Sequence, residues 1–393
     1  MPEPLKVGVV GLGIRGFWVA HITRGCQETR LVAVADMRPE IREVAREKFP
    51  DVELYASGEE MARDASIDAV FVTTGDRFHA GNAREALRSG KHVLIEKPMA
   101  QSFADLQEIA RLQHETGLTV GTFLELRHSR LWQRTRELLD SGTIGRVLAA
   151  ALVDHVGRDR NQFFARHKAR SRDQVVSLVL QKGVHSLDLL NWFVGASPCR
   201  VSASGGLLFF GGKEPAEKQC RHCATSGECP HFHQSTSRLP ALDLTLEHGE
   251  DLCVWSQAAD VEDVSLLNIE YANGVVASYR EVHFAPYYGL HFTLYGEKGQ
   301  LDVEANHDTG EAWIEVTERY TRRQYRERPT RDTGHTNADA ALITDFVQAA
   351  RAGREPLSGL RAGFESAAIA IGCRQSLDTR AFVDLPMLEG NPA

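Results

Sequence analysis

The sequence predicts an α/β protein: a doubly wound parallel sheet in its N-terminal part, and then an α+β domain with a large, mostly antiparallel open sheet. Short apolar segments alternate with helical patterns up to about residue 126, which is typical of a parallel sheet covered by helices on both faces. Beyond about residue 145, strand patterns follow one another with few helices between them. A length of 393 residues also exceeds one ordinary hydrophobic core. We therefore expect two domains, at residues 1–126 and 127–393.

The predicted elements follow from the spacing of apolar residues. In the first domain, strands are predicted at 7–10, 31–35, 69–73, 93–95 and 118–123, and helices at 17–24, 41–49, 80–89 and 103–114. After a connecting helix at 129–140, strands are predicted at 147–156, 264–271, 275–282, 291–295, 301–303 and 312–316, and late helices at 339–350 and 360–377. Residues 211–240 are rich in Gly, Cys, His and Pro, which predicts a loop that leaves the sheet.

Composition and charge exclude several classes of protein. A net charge of −8 argues against a nucleic-acid-binding protein, because such proteins neutralise phosphates with basic side chains. No apolar segment reaches the roughly 20 residues that a membrane span needs. Residues 6–10 already have a strand pattern, where a secretion signal would have a cationic and then an apolar region. We therefore expect a cytoplasmic protein, without a nucleic-acid or membrane partner, whose seven cysteines stay reduced.

A glycine pattern lies between the first predicted strand and the first predicted helix. Gly11 permits a tight turn, Gly13 lets the backbone approach a pyrophosphate, and Gly16 lets the helix pack close to the strand. The start of the helix offers unpaired N–H groups to phosphates. The alternative is a glycine turn without a ligand. The context predicts a dinucleotide-binding Rossmann domain, with contacts to the cofactor from Gly11, Leu12, Gly13, Ile14, Arg15 and Gly16.

Further cofactor contacts are predicted where other strands end. Asp36 ends the second strand and lies twenty residues beyond Gly16, where a carboxylate can bind the adenosine ribose and repel a 2′-phosphate. Arg38 could instead pair with a 2′-phosphate, so NAD is favoured over NADP without being fixed. Two later loops leave the same edge of the sheet. They add Thr73, Thr74, Asp76, His79, Glu96 and Lys97 to the predicted cofactor residues. For Glu96 and Lys97, the alternative is a surface ion pair.

Four segments together resemble the glucose–fructose oxidoreductase, inositol dehydrogenase and rhizopine-catabolism (Gfo/Idh/MocA) family. They are Val7-Gly8-Val9-Val10-Gly11-Leu12-Gly13, Glu96-Lys97-Pro98, Lys182-Gly183-Val184-His185-Ser186-Leu187-Asp188 and Gly334-His335-Thr336-Asn337-Ala338-Asp339. The resemblance spans nearly the whole chain. It implies a Rossmann domain, then a mixed α/β domain whose open sheet often serves oligomerisation.

The resemblance also implies roles for individual residues. Lys97 binds or protonates the reacting hydroxyl, and His185 lies beside the substrate. Many members carry an Asp four residues before this His, whereas this chain has Gln181 there. Lys182 instead resembles a subgroup in which a Lys precedes the His by three residues, and we include it among the catalytic residues.

The residue types suit hydride transfer to or from a carbinol carbon, because a hydroxyl proton needs an acceptor and developing charge needs stabilisation. Residues 184–192 have a helical pattern that places His185 and Asp188 on one face. A structural core histidine is the alternative for His185. A basic segment precedes this helix, and either a solvated loop or a site for an anionic sugar group would explain it. Arg127, His128, Arg166, His167, Lys182, His185 and Asp188 are the candidate substrate residues.

A cysteine cluster in the predicted loop has the spacing of a structural zinc site. Cys220, Cys223 and Cys229 would supply three thiolates, and His231 or His233 the fourth ligand. The alternative is a set of free thiols in a loop.

Three functions fit these observations. The first is an NAD(P)-dependent dehydrogenase or reductase that acts on a sugar, a sugar acid or a polyol. The second is a redox-neutral glycosidase that uses NAD transiently and releases an aglycone without net NADH. The third is a non-enzymatic NAD-dependent regulator, for which Lys97 would be dispensable. The sugar, its reacting carbon and the direction stay open, and an open sheet face favours a homodimer or tetramer.

Overall fold

The structure is a computed structural model that describes residues 3–157, 162–165, 169–233, 236–247, 251–329 and 335–388. Its strands in chain order are β1 (Leu5–Val10), β2 (Thr29–Ala35), β3 (Glu53–Tyr55), β4 (Ala69–Val72), β5 (His92–Ile95), β6 (Val120–Thr122), β7 (Val147–Gly157), β8 (Pro198–Gly206), β9 (Thr236–Leu239), β10 (Leu244–Glu247), β11 (Val264–Tyr271), β12 (Val276–Ala285), β13 (Gly289–Gly296), β14 (Gly299–Asn306), β15 (Ala312–Glu318), β16 (Gln324–Glu327) and β17 (Val383–Asp384).

The helices in chain order are α1 (Ile14–Gly25), α2 (Pro39–Lys48), α3 (Gly58–Ala62), α4 (His79–Arg88), α5 (Phe103–Thr116), α6 (Arg130–Asp140), α7 (Gln162–Ala165), α8 (Arg172–Val175), α9 (Val184–Val194), α10 (His335–Ala352) and α11 (Leu360–Thr379). A π-helical turn, Val179–Gly183, leads directly into α9. The chain forms two compact units: Met1–His128, Thr236–His248 and Thr333–Phe364 make the first, and Ser129–Ser235, Gly249–Asp332 and Glu365–Ala393 the second.

The first unit contains the predicted parallel sheet. Its six strands are ordered β3-β2-β1-β4-β5-β6, and every neighbouring pair is parallel. The strands are apolar because helices cover both faces, and Val7, Val9 and Phe71 are fully buried. This confirms the predicted doubly wound sheet.

The sheet brings four separate segments to one edge. Gly11 follows β1, Asp36 follows β2, Thr73 follows β4 and Glu96 follows β5. Because all these strands are parallel, their carboxyl ends lie at the same edge, where ligands bind in sheets of this kind.

Helix α10 belongs to the first unit although it comes late in the chain. Phe346 of α10 packs edge-to-face on Phe71 of β4, with ring centroids 5.7 Å apart. Leu342, Ile343 and Val347 join the same buried cluster. This packing fixes the start of α10, and with it Asp339, against the first unit.

The second unit is built on a nine-stranded sheet, ordered β16-β15-β14-β13-β7-β12-β11-β8-β17. Among its pairs, β7 and β12 are parallel and the others are antiparallel. This confirms the predicted large and mostly antiparallel sheet. The hairpin between β11 and β12 turns at Asn273 and Gly274, where Gly274 has a φ of 82°.

One face of this sheet is buried and the other is open. Trp132 of α6 and Phe193 of α9 pack on Phe292 of β13, with centroids 5.3 and 5.4 Å from its ring. On the opposite face, Leu266 of β11 and Tyr295 of β13 are exposed. The described helices α6 and α9 therefore pack on the same face of the sheet. In the described parts of the chain, no helix has the length and apolar composition that crossing a bilayer requires.

Candidate active site

In the glycine turn after β1, the backbone packs closely against the backbone of neighbouring segments. Gly11 has a φ of 91°, and its N–H donates to the carbonyl of Ala35 at 2.8 Å. A Cβ on Gly11 would lie 2.6 Å from the backbone of Thr74, and a Cβ on Gly16 would lie 1.9 Å from the Gly11 carbonyl oxygen. Both positions therefore exclude side chains.

Gly13 differs from Gly11 and Gly16, because no described atom outside its own stretch of chain lies within 4 Å of the position its Cβ would take. Helix α1 begins at the next residue, without a side-chain cap among the described residues and without an acidic residue in its first turn. Leu12 donates its N–H to Asp36 at 2.8 Å. An open cradle beside the positive end of a helix fits the pyrophosphate of a dinucleotide.

Asp36 is buried and forms a tight pair with Arg38. The Arg38 guanidinium donates from Nε and Nη2 to the two carboxylate oxygens, at 2.9 Å each, and its backbone N–H adds a third bond at 3.0 Å. Burial alone raises the pKa of Asp36, but the bonds from Arg38 and Leu12 outweigh it and lower the pKa below its ordinary value. Asp36 is thus an ionised carboxylate at the edge of the sheet.

The loop after β4 is tied to its neighbours by Thr73 and His79. Thr73 Oγ1 lies 2.9 Å from both the Val10 and Gly11 carbonyl oxygens, and it holds the glycine turn against β4. The His79 ring is buried between two carbonyl oxygens, with Nδ1 2.7 Å from Pro98 and Nε2 3.0 Å from Thr74. His79 therefore braces the loop beside Lys97. Asp76 lies in a short 3₁₀ turn, Asp76–Phe78, between Thr74 and His79.

Arg15, in the first turn of α1 directly after the glycine turn, is held by two carboxylates from distant segments. Its Nε donates to Glu96 at 2.5 Å, and its Nη1 and Nη2 donate to the two Asp339 oxygens at 2.6 and 2.9 Å. Trp18 Nε1 also donates to Asp339 at 3.0 Å. Burial lowers the pKa of Arg15, but Glu96 and Asp339 raise it well above its ordinary value. The guanidinium is therefore a structural cation within the site.

Lys97 is linked to this cluster through its backbone. Its N–H donates to the second Glu96 oxygen at 3.0 Å, and the peptide bond to Pro98 is cis. The Lys97 side chain is half-buried. Glu96 thus links the guanidinium of Arg15 to Lys97, the residue for which the family resemblance implies a role in proton transfer.

Arg127 and His128 end the first segment of the first unit. Arg127 Nη1 donates to the Leu357 carbonyl at 2.9 Å, and His128 Nε2 lies 3.4 Å from Ser358 Oγ. Burial lowers the pKa of His128, which favours the neutral imidazole. Both side chains therefore contact the segment that follows α10.

In the second unit, Lys182 and His185 lie on consecutive turns. Lys182 lies in the π-helical turn and donates from Nζ to Asp154 Oδ2 of β7 at 2.8 Å. Ser186 of α9 donates to the same oxygen at 2.6 Å. His185 is half-buried in the first turn of α9, and Asp188 is fully buried one turn later. Arg166 and His167 lie outside the described residues.

The cysteine cluster is not assembled into a metal site. Cys220 is buried, Cys223, Cys229 and His233 are half-buried, and all seven cysteines of the chain are free thiols. Within the described ranges, no group of three or more His, Cys, Asp or Glu side chains is placed to hold a metal ion. The structure thus gives no support to the predicted zinc site.

Two carboxylates of these sites were missed by the sequence reasoning. Asp339 lies in a segment quoted for its resemblance, but its partner Arg15 is distant in the chain. Asp154 is a buried charge within the apolar strand β7, and an acidic residue in such a strand is the signal that could have found it.

The chain matches profiles of one family over both units. The profile of the Gfo/Idh/MocA oxidoreductase family, NAD-binding Rossmann fold, matches residues 5–123. The profile of the C-terminal α/β domain of the same family matches residues 136–385.

Individual relatives agree with these matches. A Bacillus subtilis protein described as an oxidoreductase, YteT, is 25% identical over 88% of this chain and 89% of its own length. An inositol 2-dehydrogenase of Burkholderia multivorans is 31% identical over 49% of this chain and 55% of its own, so the chain spans only about half of that enzyme. A solved structure of scyllo-inositol dehydrogenase from Lactobacillus casei, with bound NAD(H) and scyllo-inositol, has a TM-score of 0.68 at 19% identity and covers 97% of this chain and 99% of its own. This likeness shows the shared fold.

The contacts of Asp339 predict that Asp339→Asn weakens binding of NADH. The amide keeps the shape but loses the charge that fixes Arg15, so the glycine turn loses a support. We expect the Kd for NADH, measured by calorimetry, to rise about 10-fold, equivalent to ~1.4 kcal/mol.

Asp345→Asn is the matched control. Asp345 lies on the same helix and also binds an arginine, because Arg354 Nη2 donates to it at 2.6 Å. Its Kd for NADH should stay within about twofold of wild type, since the described partners of Asp345 are Arg354 and the Leu357 N–H, which lie after α10 and not at the glycine turn. Equal effects of the two substitutions would contradict the role of Asp339.

Proposed function

Because the chain belongs to the Gfo/Idh/MocA oxidoreductase family, we propose that it transfers a hydride between NAD and a hydroxyl-bearing carbon of a sugar, sugar acid or polyol. The chain is an NAD(P)-dependent oxidoreductase of the type that this family contains. The proposal concerns the substrate class and the roles of individual residues.

The observation that carries the proposal is the open cradle at Gly13. It lies between two glycines that cannot carry a side chain, at the start of α1 and beside an ionised Asp36. A dinucleotide fits this combination, with its pyrophosphate at the helix start and its ribose at the carboxylate. The inositol dehydrogenases among the relatives support a ring polyol as the substrate.

The proposed chemistry assigns a task to each residue. When bound, NAD accepts a hydride from the carbinol carbon, or its reduced form returns one. Lys97 donates a hydrogen bond to the reacting oxygen, where negative charge develops as the proton leaves. His185 exchanges the hydroxyl proton, because an imidazole changes protonation between about pH 5 and 8. Lys182 donates to an oxygen of the substrate. Arg127, His128, Arg166, His167 and Asp188 complete the proposed set on the substrate side.

Two further properties belong to the proposal. Seven free thiols suit a reducing compartment, which supports a cytoplasmic location. Exposed apolar side chains on the open face of the nine-stranded sheet, such as Leu266 and Tyr295, support a homodimer or tetramer.

The Asp36 carboxylate predicts a preference for NAD over NADP. Asp36→Asn keeps an oxygen for the N–H of Leu12 but removes the charge that repels a 2′-phosphate, and it loosens Arg38. We expect the NADP-to-NAD ratio of kcat/KM to rise about 10-fold or more. Asp51→Asn removes an exposed carboxylate that pairs with Arg24, and it should leave the ratio unchanged. A ratio unaffected by Asp36→Asn would show that this carboxylate does not select the cofactor.

The role of Lys97 predicts that Lys97→Ala lowers kcat by about 10²- to 10⁴-fold, while the Kd for NADH changes little. NADH absorbance would report turnover with myo-inositol, glucose and glucuronate as probes. Lys213→Ala, at an exposed lysine, is the control. Full turnover by Lys97→Ala would exclude the proposed role. Release of an aglycone from a glycoside without net NADH would favour the redox-neutral glycosidase instead.

The cysteine spacing predicts that Cys220, Cys223 and Cys229, with His231 or His233, bind a structural zinc ion after rearranging. Elemental analysis of the purified protein should then find about one zinc per chain, and Cys220→Ser with Cys223→Ser should remove it. Cys26→Ser is the control, because Cys26 lies in the first unit. Protein purified without chelators and free of zinc would refute this part of the proposal.

A further inference from the structure

Asp154 is a buried charge in a strand that is otherwise apolar on the same face. In β7, Ala150, Leu152 and Val156 point to the helix-covered face together with Asp154, and all four are buried. A carboxylate costs several kcal/mol to remove from water unless a cation and hydrogen bonds compensate it. The partners of Asp154 should therefore show how the cost of burying its charge is compensated.

The cation that compensates Asp154 is Lys182. Lys182 Nζ lies 2.8 Å from Asp154 Oδ2, and the Ser186 hydroxyl donates to the same oxygen at 2.6 Å. Among the described residues, Asp154 is the only hydrogen-bond acceptor of the ammonium group. An ammonium has three N–H groups, so Asp154 fixes its direction and leaves donors for another acceptor.

The turn that carries Lys182 is shaped by the same buried groups. A Cβ on Gly183 would lie 2.5 Å from Glu281 Oε2 and 2.8 Å from the Tyr279 hydroxyl, so any side chain here would displace these two hydrogen-bonded groups. The turn is π-helical, an arrangement that is frequent at functional sites. The backbone at Gly183 therefore packs directly against the polar groups of Glu281 and Tyr279 on β12.

These groups form a chain of hydrogen bonds along β12. The Tyr279 hydroxyl donates to Glu281 Oε2 at 2.6 Å and lies 3.3 Å from Asp154 Oδ2, and His283 Nε2 lies 2.6 Å from Glu281 Oε1. Burial, Glu281 and Asp154 raise the pKa of Tyr279 well above its ordinary value, so it remains a neutral donor. His283 thus contacts Glu281, the second carboxylate of this chain of hydrogen bonds, at the oxygen that Tyr279 does not bind.

The electrostatics keep Lys182 charged. Burial alone lowers the pKa of Lys182, but Asp154, Tyr288 and Glu281 outweigh burial and raise it above its ordinary value. Burial alone raises the pKa of Asp154, but Lys182 and Ser186 lower it below its ordinary value. The charged groups that face Lys182 from the packed elements are Asp154 of β7 and Glu281 of β12, and the Tyr288 ring lies 5.5 Å from its ammonium.

We propose that Asp154 is a positioning residue that holds Lys182 as a permanently protonated hydrogen-bond donor to the substrate, with Tyr279, Glu281 and His283 as its buried support. This inference rests on the proposed hydride transfer. It excludes Lys182 as the base of the reaction, because a lysine held in this way keeps its proton. Lys182 stabilises negative charge on a substrate oxygen, and the hydroxyl proton leaves through another group.

The test follows the Lys182 proton directly and then follows turnover. Protein labelled with ¹³C at the lysine ε-carbons is titrated by NMR, and the Lys182 signal is identified by its loss in Lys182→Arg. In the wild type we expect a midpoint above the ordinary value of about 10.4. In Asp154→Asn the burial remains and the carboxylate charge is gone, so we expect the midpoint to fall by at least about two units, to below that value.

Turnover should show the same shift. With a probe that the wild type oxidises, the alkaline limb of kcat/KM in Asp154→Asn should move to lower pH by as much as the NMR midpoint. Lys182→Gln should lose that limb, and kcat/KM should fall about 10²-fold. Combining Asp154→Asn with Lys182→Gln should cost no more than Lys182→Gln alone, because one residue acts through the other.

Asp251→Asn is the matched control, since Asp251 is buried in the same unit and pairs with Arg221 at 2.9 Å. It should leave the Lys182 midpoint and the pH profile unchanged. Ser186→Ala is a milder second variant, which removes one bond to Asp154 and should lower the midpoint by less than Asp154→Asn does.

Each failure has its own signature. An unchanged Lys182 midpoint in Asp154→Asn overturns the positioning role. A shifted midpoint with an unchanged pH profile shows that Lys182 does not meet the substrate, which overturns the inference but leaves the proposed function intact. Lack of turnover by the wild type with every probe overturns the proposed function, and with it the substrate contact, whatever the lysine signal shows.

Discussion

The guanidinium of Arg15 is the group on which the cofactor edge of the first unit depends. It binds Glu96, which follows β5, and Asp339, which lies on α10. The turn that approaches a pyrophosphate is thereby fixed to the segment of Lys97, whose N–H shares Glu96. Hydride transfer needs the cofactor and the proton-transfer group at a set separation, and small displacements are costly. A cation that joins both segments meets this need better than separate surface contacts would.

The same cluster explains why Asp339 and Glu96 remain buried. Two carboxylates beside one guanidinium leave an excess of negative charge, which burial makes costly. The Trp18 indole N–H and the backbone N–H of Lys97 offset part of that cost, because each donates to one of the carboxylates. The positive end of α1, at the same turn, adds a further favourable field. Glu96 and Asp339 engage three of the five N–H groups of Arg15, so backbone N–H groups at the start of α1 would supply the main contacts to a pyrophosphate placed there.

The sequence predicts features whose cause is local. Gly11, Gly13 and Gly16 lie within six residues at the junction of β1 and α1, and their spacing specifies the backbone geometry of that junction. The position of Asp36 at the end of β2 can be predicted because one strand–helix–strand unit has a characteristic length. The apolar spacing likewise predicts β7 and β11, because each strand has a covered face. Asp154 and Asp339 could not be found in this way, since each acts through a partner that is distant in the chain. The three-residue strand β3 carries too few positions for a pattern.

Each unit holds a side-chain cation in a fixed direction, but the two cations differ in what keeps them charged. Arg15 stays charged under any ordinary condition, so its carboxylates need only fix its direction. A buried lysine tends to lose its proton, because desolvation disfavours the ammonium. Lys182 therefore needs a carboxylate to remain a cation at all, and Asp154 supplies both charge and direction. This difference explains the longer buried chain through Tyr279, Glu281 and His283. Asp154 must itself be ionised to stabilise Lys182. Glu281 is a second buried acid beside this pair, and it therefore needs hydrogen-bond donors of its own.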